Sequence, residues 1–76
     1  MSEVIKHEFH NEAWREYEFG GIVYRINNPV ALYMRPGGTT HRVLDADGIV
    51  HIVPAVGEHG CVVRYKPVDG TEPVLL

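Results

Sequence analysis

Residues 39–54 read TTHRVLDADGIVHIVP, and this stretch decides the fold. Two runs rich in β-branched residues flank the tetrapeptide Asp-Ala-Asp-Gly at 45–48, and β-branched side chains pack well on a pleated sheet. Asp45 can begin a turn by bonding its own backbone, and Gly48 can adopt the positive φ that closes it. The stretch therefore predicts a β-hairpin at the centre of a small sheet, with further strands on either side.

The chemistry of this turn also predicts the register of the hairpin. A type I turn with a glycine bulge places Leu44 opposite Val50 and Val43 opposite His51. A two-residue turn at 47–48 would shift the pairing by one residue and exchange the two faces of the sheet. The turn chemistry favours the first register.

A second hairpin is predicted over residues 14–26, WREYEFGGIVYRI. Gly20 and Gly21 permit a turn whose twist matches that of the flanking strands. A short helix over 11–19 is the alternative, because Asn11 could cap it and Gly20 could end it. The hairpin is favoured because it puts aromatic and apolar pairs on one face and opposite charges on the other. Its expected pairs are Phe19 with Ile22, Tyr17 with Tyr24, and Glu16 with Arg25.

Two further strands complete the expected sheet. Residues 30–35, VALYMR, and 61–66, CVVRYK, have the composition of strands, and 27–29 and 36–38 have that of turns. Five or six short strands at this spacing are typical of an antiparallel meander. A sheet of this size must curl to enclose a core, so we expect an all-β fold, a strongly bent sheet or a partly open SH3-like or OB-like barrel.

The length of 76 residues predicts one domain with a small core. We expect a frayed N-terminus over 1–12 that could dock as an edge strand, a β core over 13–66, and a C-terminal tail over 67–76 that leaves the sheet. The single cysteine, Cys61, allows no internal disulfide, which fits a reducing compartment. The sequence has no apolar run near the ~20 residues of a membrane span and no secretory signal, so we expect a cytoplasmic protein.

Charge is unevenly distributed along a chain whose net charge is −3. Residues 19–44 contain arginines but no acid, which predicts contact with an anionic ligand or with an acidic protein face. Ordinary solvated surface is the alternative interpretation. Tyrosine and arginine are enriched at binding hot spots. The side chains that we predict to contact a partner are Tyr33, Arg35, Arg42, Tyr65 and Arg25.

Three histidines and the cysteine are the candidate ligands for a metal ion. The preferred register makes His41 and His51 diagonal neighbours on one face of the hairpin. His59 and Cys61 would complete a tetrahedral zinc site if their strand lay beside it. His-x-Cys is not a standard zinc spacing, however, and surface histidines beside a free thiol in an apolar setting are the simpler interpretation. We predict no metal and no cofactor.

The sequence contains no phosphate-binding loop, dinucleotide fingerprint or catalytic triad order. The glycine pairs at 20–21 and 37–38 are interpreted as hairpin glycines, because no helix pattern follows either pair. A barrel of this size has little room for a substrate pocket of ~300 Å³ or more. We therefore expect a protein that is not an enzyme.

The hairpin predicted over residues 39–54 is apolar on both faces. One face carries Leu44, Val50 and Ile52, and the other carries Val43, Ile49 and Val53. A small sheet has one core, so the second face is either capped by Trp14, Phe9 or residues 74–76, or exposed as an interface. We expect a protein-binding module whose partner the sequence does not identify. Binding of single-stranded nucleic acid or another anion through residues 19–44 is the alternative.

In its small size and lack of motifs the chain resembles many small proteins of phages and other mobile elements, including inhibitors of host defence complexes. The resemblance is one of size and style, so it implies an inhibitor or accessory role without assigning any residue. The two-faced hairpin also predicts a homodimer, built by contact of sheet faces or edges.

Overall fold

The computed structural model describes residues 3–57, 60–70 and 72–76, and every regular element in these ranges is a β-strand. The helix considered over 11–19 is therefore wrong. The strands are β1 (Ile5–Glu8), β2 (Trp14–Phe19), β3 (Ile22–Asn27), β4 (Pro29–Met34), β5 (His41–Asp45), β6 (Val50–Val53), β7 (Cys61–Lys66) and β8 (Val74–Leu75). No helix in the described part of the chain has the length and apolar character needed to cross a membrane.

The eight strands form two antiparallel sheets of four strands each. The first sheet has the order β1-β4-β5-β6, and the second has the order β3-β2-β7-β8. Both sheets contribute to one core, in which Tyr17 and Ile26 of the second sheet meet Leu32, Val43 and Val53 of the first. The prediction of an all-β antiparallel fold is confirmed. The SH3-like or OB-like barrel is not, because the strands divide between two sheets that do not close.

The hairpin formed by β5 and β6 has the predicted register. Leu44 lies opposite Val50, and Val43 lies opposite His51. Its position differs from the prediction, because β6 is the outermost strand of the first sheet and only β5 has a neighbour on its other side. The hairpin therefore lies at an edge of the sheet, which leaves one edge of β6 without a partner strand in the described structure.

The turn of this hairpin has the expected chemistry. The N–H of Asp45 donates to the carbonyl of Ile49 at 2.9 Å, and the N–H of Gly48 donates to the carbonyl of Asp45 at 3.1 Å. Gly48 has a φ of 83°, as the glycine bulge requires. The carboxylate of Asp45 also accepts bonds from the N–H groups of Asp47 and Ile49.

The second predicted hairpin, between β2 and β3, is confirmed in every expected pair. Phe19 lies opposite Ile22, Tyr17 opposite Tyr24, and Glu16 opposite Arg25. On its other side β2 pairs with β7, so β2 is an inner strand and β3 is an edge strand of the second sheet.

The two termini each add a strand outside the expected core of residues 13–66. β1 pairs with β4 at one edge of the first sheet, so part of residues 1–12 forms an edge strand, as the sequence allowed. β8 pairs with β7, and the N–H of Leu76 donates to the carbonyl of Val63 at 2.8 Å. The tail expected over 67–76 thus leaves the sheet after β7, and its residues 74–76 fold back antiparallel to β7, which is one of the two courses that the sequence left open for them.

Candidate protein-interaction surface

The first sheet has one face toward the core and one face away from it. Side chains alternate along each strand, and residues directly opposite one another in an antiparallel pair share a face. The face away from the core carries two rows of side chains that cross all four strands, and we call these eight residues the outer face. The rows are Lys6, Tyr33, Arg42 and Ile52, and Glu8, Ala31, Leu44 and Val50.

Apolar side chains on the outer face are open to solvent at the β6 end. Val50 is 52% exposed and Ile52 is 62% exposed. The segments considered as caps lie elsewhere. Phe9 packs against the core, Trp14 stacks on Arg25 in the second sheet, and β8 pairs with β7. The hairpin therefore presents the exposed second apolar face that the sequence allowed.

The outer face also carries positive charge, part of which no carboxylate of the described residues neutralises. Arg42 is exposed and forms no ion pair with any described carboxylate, and the same holds for Arg35, which directly follows β4. Lys6 is paired with Glu8 at 3.2 Å, and its Nζ lies 5.9 Å from the centre of the Tyr33 ring. Arg42 and Tyr33 are directly opposite one another, so an unpaired guanidinium and an aromatic ring are adjacent.

The corresponding face of the second sheet is different, because its charges are paired with one another. Glu16 accepts bonds from Arg25 at 2.8 Å and from Arg64 at 3.1 Å, and Arg64 also reaches Glu18 at 3.0 Å. Desolvation alone would raise the pKa of Glu16, but the bonds from the two arginines outweigh it and lower that pKa. These four charged side chains of the second sheet thus neutralise one another, whereas Arg42 on the first sheet has no described carboxylate as a partner.

The structure brings together some of the residues that the sequence predicted to contact a partner. Tyr33 and Arg42 lie side by side on the outer face, and Arg35 lies at its margin. Arg25 and Tyr65 are in the second sheet, where Arg25 is held by Glu16 and Tyr65 lies on β7 beside β8.

Lys6 is a residue of the outer face that the sequence analysis missed. Residues 1–12 alternate only weakly between polar and apolar side chains, so their pairing with β4 could not be assigned. The only signal was the alternation of Lys6 and Glu8 with Ile5 and His7, which is typical of a strand.

Two of the four candidate metal ligands, His41 and His51, face the core and bond to tyrosines of the opposite sheet. Nδ1 of His41 lies 2.9 Å from the hydroxyl of Tyr17, and Nδ1 of His51 lies 2.6 Å from the hydroxyl of Tyr24. Burial lowers the pKa of His41, and the positive charge of Arg15 lowers it further. Both imidazoles therefore serve as links between the sheets.

Of the other two candidate metal ligands, the structure describes Cys61 alone. Cys61 is half-buried on β7 of the second sheet and packs against the core. His59 lies outside the described residues. Among residues 3–57, 60–70 and 72–76, no group of three or more His, Cys, Asp or Glu side chains is placed to hold a metal ion.

Comparison with protein-family models, with curated proteins and with solved structures finds no match to this chain. The outer face combines exposed apolar side chains, an aromatic ring and a guanidinium that no described carboxylate pairs, in two adjacent rows. Tyrosine and arginine are residue types enriched at binding hot spots.

Proposed function

We propose that the chain is a non-enzymatic protein-binding module that engages an acidic site on its partner through the outer face of the first sheet. The observation that carries this proposal is the position of Ile52 and Val50, both more than half exposed, in the same two rows as the unpaired Arg42. Contiguous apolar surface on a small protein usually marks an interface.

The guanidinium of Arg42, which no described carboxylate pairs, is the reason for proposing an acidic partner. Burying Arg42 beneath a partner would be costly unless that partner supplied an acceptor, because a desolvated charge needs a counter-charge and hydrogen bonds. The chain as a whole carries −3, so an extensively acidic partner would be repelled at long range. A local pair or cluster of carboxylates beside an apolar ridge is the partner surface that fits best.

The edge of β6 extends this surface. Four strands at a spacing of ~4.8 Å make a sheet ~19 Å wide, and strands of 4 to 6 residues are ~13–20 Å long. The outer face therefore covers at most about 400 Å², less than the ~800 Å² that each side of a standard interface buries. β6 is the outermost strand, and an open edge can accept a strand from another chain. A partner that contacts both the outer face and the β6 edge would reach the area of a specific complex.

The biological setting follows from the same proposal. A module of this size acts by occupying its partner's surface, which is the behaviour of an inhibitor or accessory protein, as in small proteins of phages and mobile elements. A cytoplasmic location suits the free thiol of Cys61, because thiols stay reduced there.

The test is affinity capture from the native host, with identification by mass spectrometry and calorimetry on the purified partner. Ile52→Asp and Arg42→Glu should each abolish capture while leaving the fold intact by circular dichroism. Val23→Asp is the matched control, since Val23 is 49% exposed on the outward side of the second sheet. Equal loss in the control, or retention in both outer-face variants, would show that the interface lies elsewhere.

Binding of single-stranded nucleic acid is the second candidate, and one observation favours it. The ring of Tyr33 lies between Lys6 and Arg42 in one row, which resembles a stacking platform flanked by cations. Fluorescence anisotropy with a labelled oligonucleotide at low and high salt tests it. Steep loss of binding with salt and with Tyr33→Ala would support nucleic acid, and no retention at low salt would exclude it.

A further inference from the structure

A pocket of about 200 Å³ lies where β4 turns into β5, at the margin of the outer face. The connection and its flanks, residues 35–42, read RPGGTTHR. All of the described residues that line the pocket come from this one segment. They are Arg35, Gly38, Thr39, Thr40 and Arg42.

The backbone of this segment holds Arg35 beside the threonines. The N–H of Gly38 donates to the carbonyl of Arg35 at 2.9 Å, and Gly37 has a φ of 72°, as in a type II turn with proline at its second position. A Cβ at Gly38 would approach the Arg35 carbonyl oxygen to 3.2 Å. On the far side, the carbonyl of Thr39 accepts the N–H of Val56 at 2.7 Å. The loop is therefore anchored at both ends of the pocket.

The chemistry of the lining is that of an anion site. Each guanidinium has five N–H donors and no acceptor, and each threonine hydroxyl can donate one further bond. Arg35 and Arg42 are exposed, and neither is paired with a carboxylate in the described ranges. None of the described residues that line the pocket is an acid. Positive charge and hydrogen-bond donors thus line a space that no carboxylate of the described residues occupies.

We propose that this pocket binds a phosphate group, either as inorganic phosphate or as a phosphate monoester, between Arg35 and Arg42. Two arginines and two hydroxyls suit the three terminal oxygens of a monoester, which carries about −1.5 to −2 at neutral pH, better than the two oxygens of a carboxylate. Whole small molecules need pockets of ~300 Å³ or more, so the pocket accommodates the phosphate and leaves the rest of an ester outside. Side chains hold the anion, and the glycines only shape the turn.

This site goes beyond the proposed protein interface. Arg35, Thr39 and Thr40 do not belong to the two rows of the outer face, and only Arg42 is common to both. Loss of the phosphate site through Arg35 would therefore leave the apolar surface at Val50 and Ile52 unchanged. The two proposals can fail separately.

The experiment is a ¹H–¹⁵N NMR titration of the whole protein at constant ionic strength, following backbone signals of 35–42 and arginine Nε–H signals. Inorganic phosphate and O-phosphoserine are the two probes, and acetate is the carboxylate control. We expect saturable shifts with phosphate and none with acetate. Binding of both phosphates indicates that an ester is accepted, and binding of inorganic phosphate alone indicates a site for the free anion.

Variants localise the site. Arg35→Gln and Arg42→Gln should each weaken phosphate binding at least about tenfold, since each removes charge-assisted bonds. Arg25→Gln is the matched control and should bind like the unmodified chain, because Arg25 lies in the second sheet and is paired with Glu16. The spectra themselves report whether each variant is folded.

Four results would overturn the proposal. They are shifts that never saturate, equal binding of acetate, equal weakening by Arg25→Gln, and binding of an oligonucleotide through Arg35 without binding of either phosphate probe. The last result would assign the pocket to a phosphodiester backbone and so to the nucleic-acid interpretation.

Discussion

The hydroxyl of Tyr24 lies 2.6 Å from Nδ1 of His51, and this bond joins the edge strands of the two sheets. The other ring nitrogen of His51 lies 2.7 Å from the carboxylate of Asp45. That carboxylate also holds the turn at 45–48 through two backbone N–H groups. A continuous set of polar contacts therefore runs from β3, across to the first sheet, and ends at the turn between β5 and β6.

Removal of the Tyr24 hydroxyl should weaken the contact between the sheets. We expect Tyr24→Phe to lower the free energy of unfolding by about 0.5–1.5 kcal/mol, the net value of a typical hydrogen bond. A double-mutant cycle with His51→Phe, measured by urea unfolding, isolates the contact. A coupling energy near zero would mean that Tyr24 and His51 contribute independently.

Asp45 should make the stability fall in acid. Its pKa is lowered chiefly by the hydrogen bond to His51 and further by the N–H groups of Ile49 and Asp47, although burial opposes this. A carboxyl whose folded pKa is depressed stabilises the protein above its ordinary value of 3.8, and that stabilisation is lost as pH falls through the folded pKa. Urea unfolding from about pH 5 to pH 2 should show a smaller decline in Asp45→Asn, which is itself less stable at pH 7.

His41 should add a second pH dependence at milder acidity. Its pKa lies below the ordinary value of 6.5 because it is partly buried and because Arg15 is close. Below pH 6.5 the unfolded chain therefore binds a proton that the folded chain resists, and stability declines until pH reaches the folded pKa. NMR titration should place the His41 midpoint below 6.5, and His41→Asn should flatten the slope. A midpoint at or above 6.5 would contradict the burial argument.

The turn glycine provides a backbone test. Gly48 has a φ of 83°, and a β-branched residue is strained there even though nothing lies within 4 Å of an added Cβ. We expect Gly48→Val to destabilise the protein by about 1–2 kcal/mol. Gly48→Asn is the control and should lose less, because asparagine tolerates positive φ. Equal melting temperatures for Gly48→Val and the unmodified chain would contradict the strain.

The features predictable from the sequence are local ones. Both hairpins and their registers follow from turn residues at 20–21 and 45–48, because a turn determines which residues it brings opposite one another. The type II turn at 36–38 has the same origin. The pairing of Glu16 with Arg25 was predicted for that reason, whereas the second bond to Glu16, from Arg64, connects strands far apart in sequence.

The distribution of the strands between two sheets could not be predicted from local turn residues. It depends on which face of β2 packs on which face of β5, and therefore on long-range contacts such as that between Tyr17 and His41. β8 was missed because the turn residues that surround it are typical of a tail. Which arginines remain unpaired is a further long-range property, so the sequence could not separate Arg35 and Arg42 from Arg25.

Homodimerisation stays a prediction, and the structure limits the contacts that could produce it. Acids of one copy are the groups that would pair with unpaired arginines of another. Three of these acids are Glu12, Glu16 and Glu18. Each is already bonded within its own chain to Arg15, Arg25 or Arg64. We therefore expect a second copy to contact the exposed apolar residues Val50 and Ile52 and the β6 edge rather than to rely on these acids.

The dependence of dimerisation on salt concentration therefore distinguishes an apolar contact from one made by ion pairs. A specific dimer should bury at least ~1,000 Å² in total. Light scattering across a dilution series should give twice the 8.6 kDa mass at high micromolar concentration and monomer on dilution. If the contact is apolar, raising the salt concentration should not weaken it, whereas ion pairs between exposed charges are screened. Ile52→Asp should give a monomer, and Val23→Asp should still dimerise. Monomer at every concentration would contradict the dimer and leave the outer face free for an outside partner.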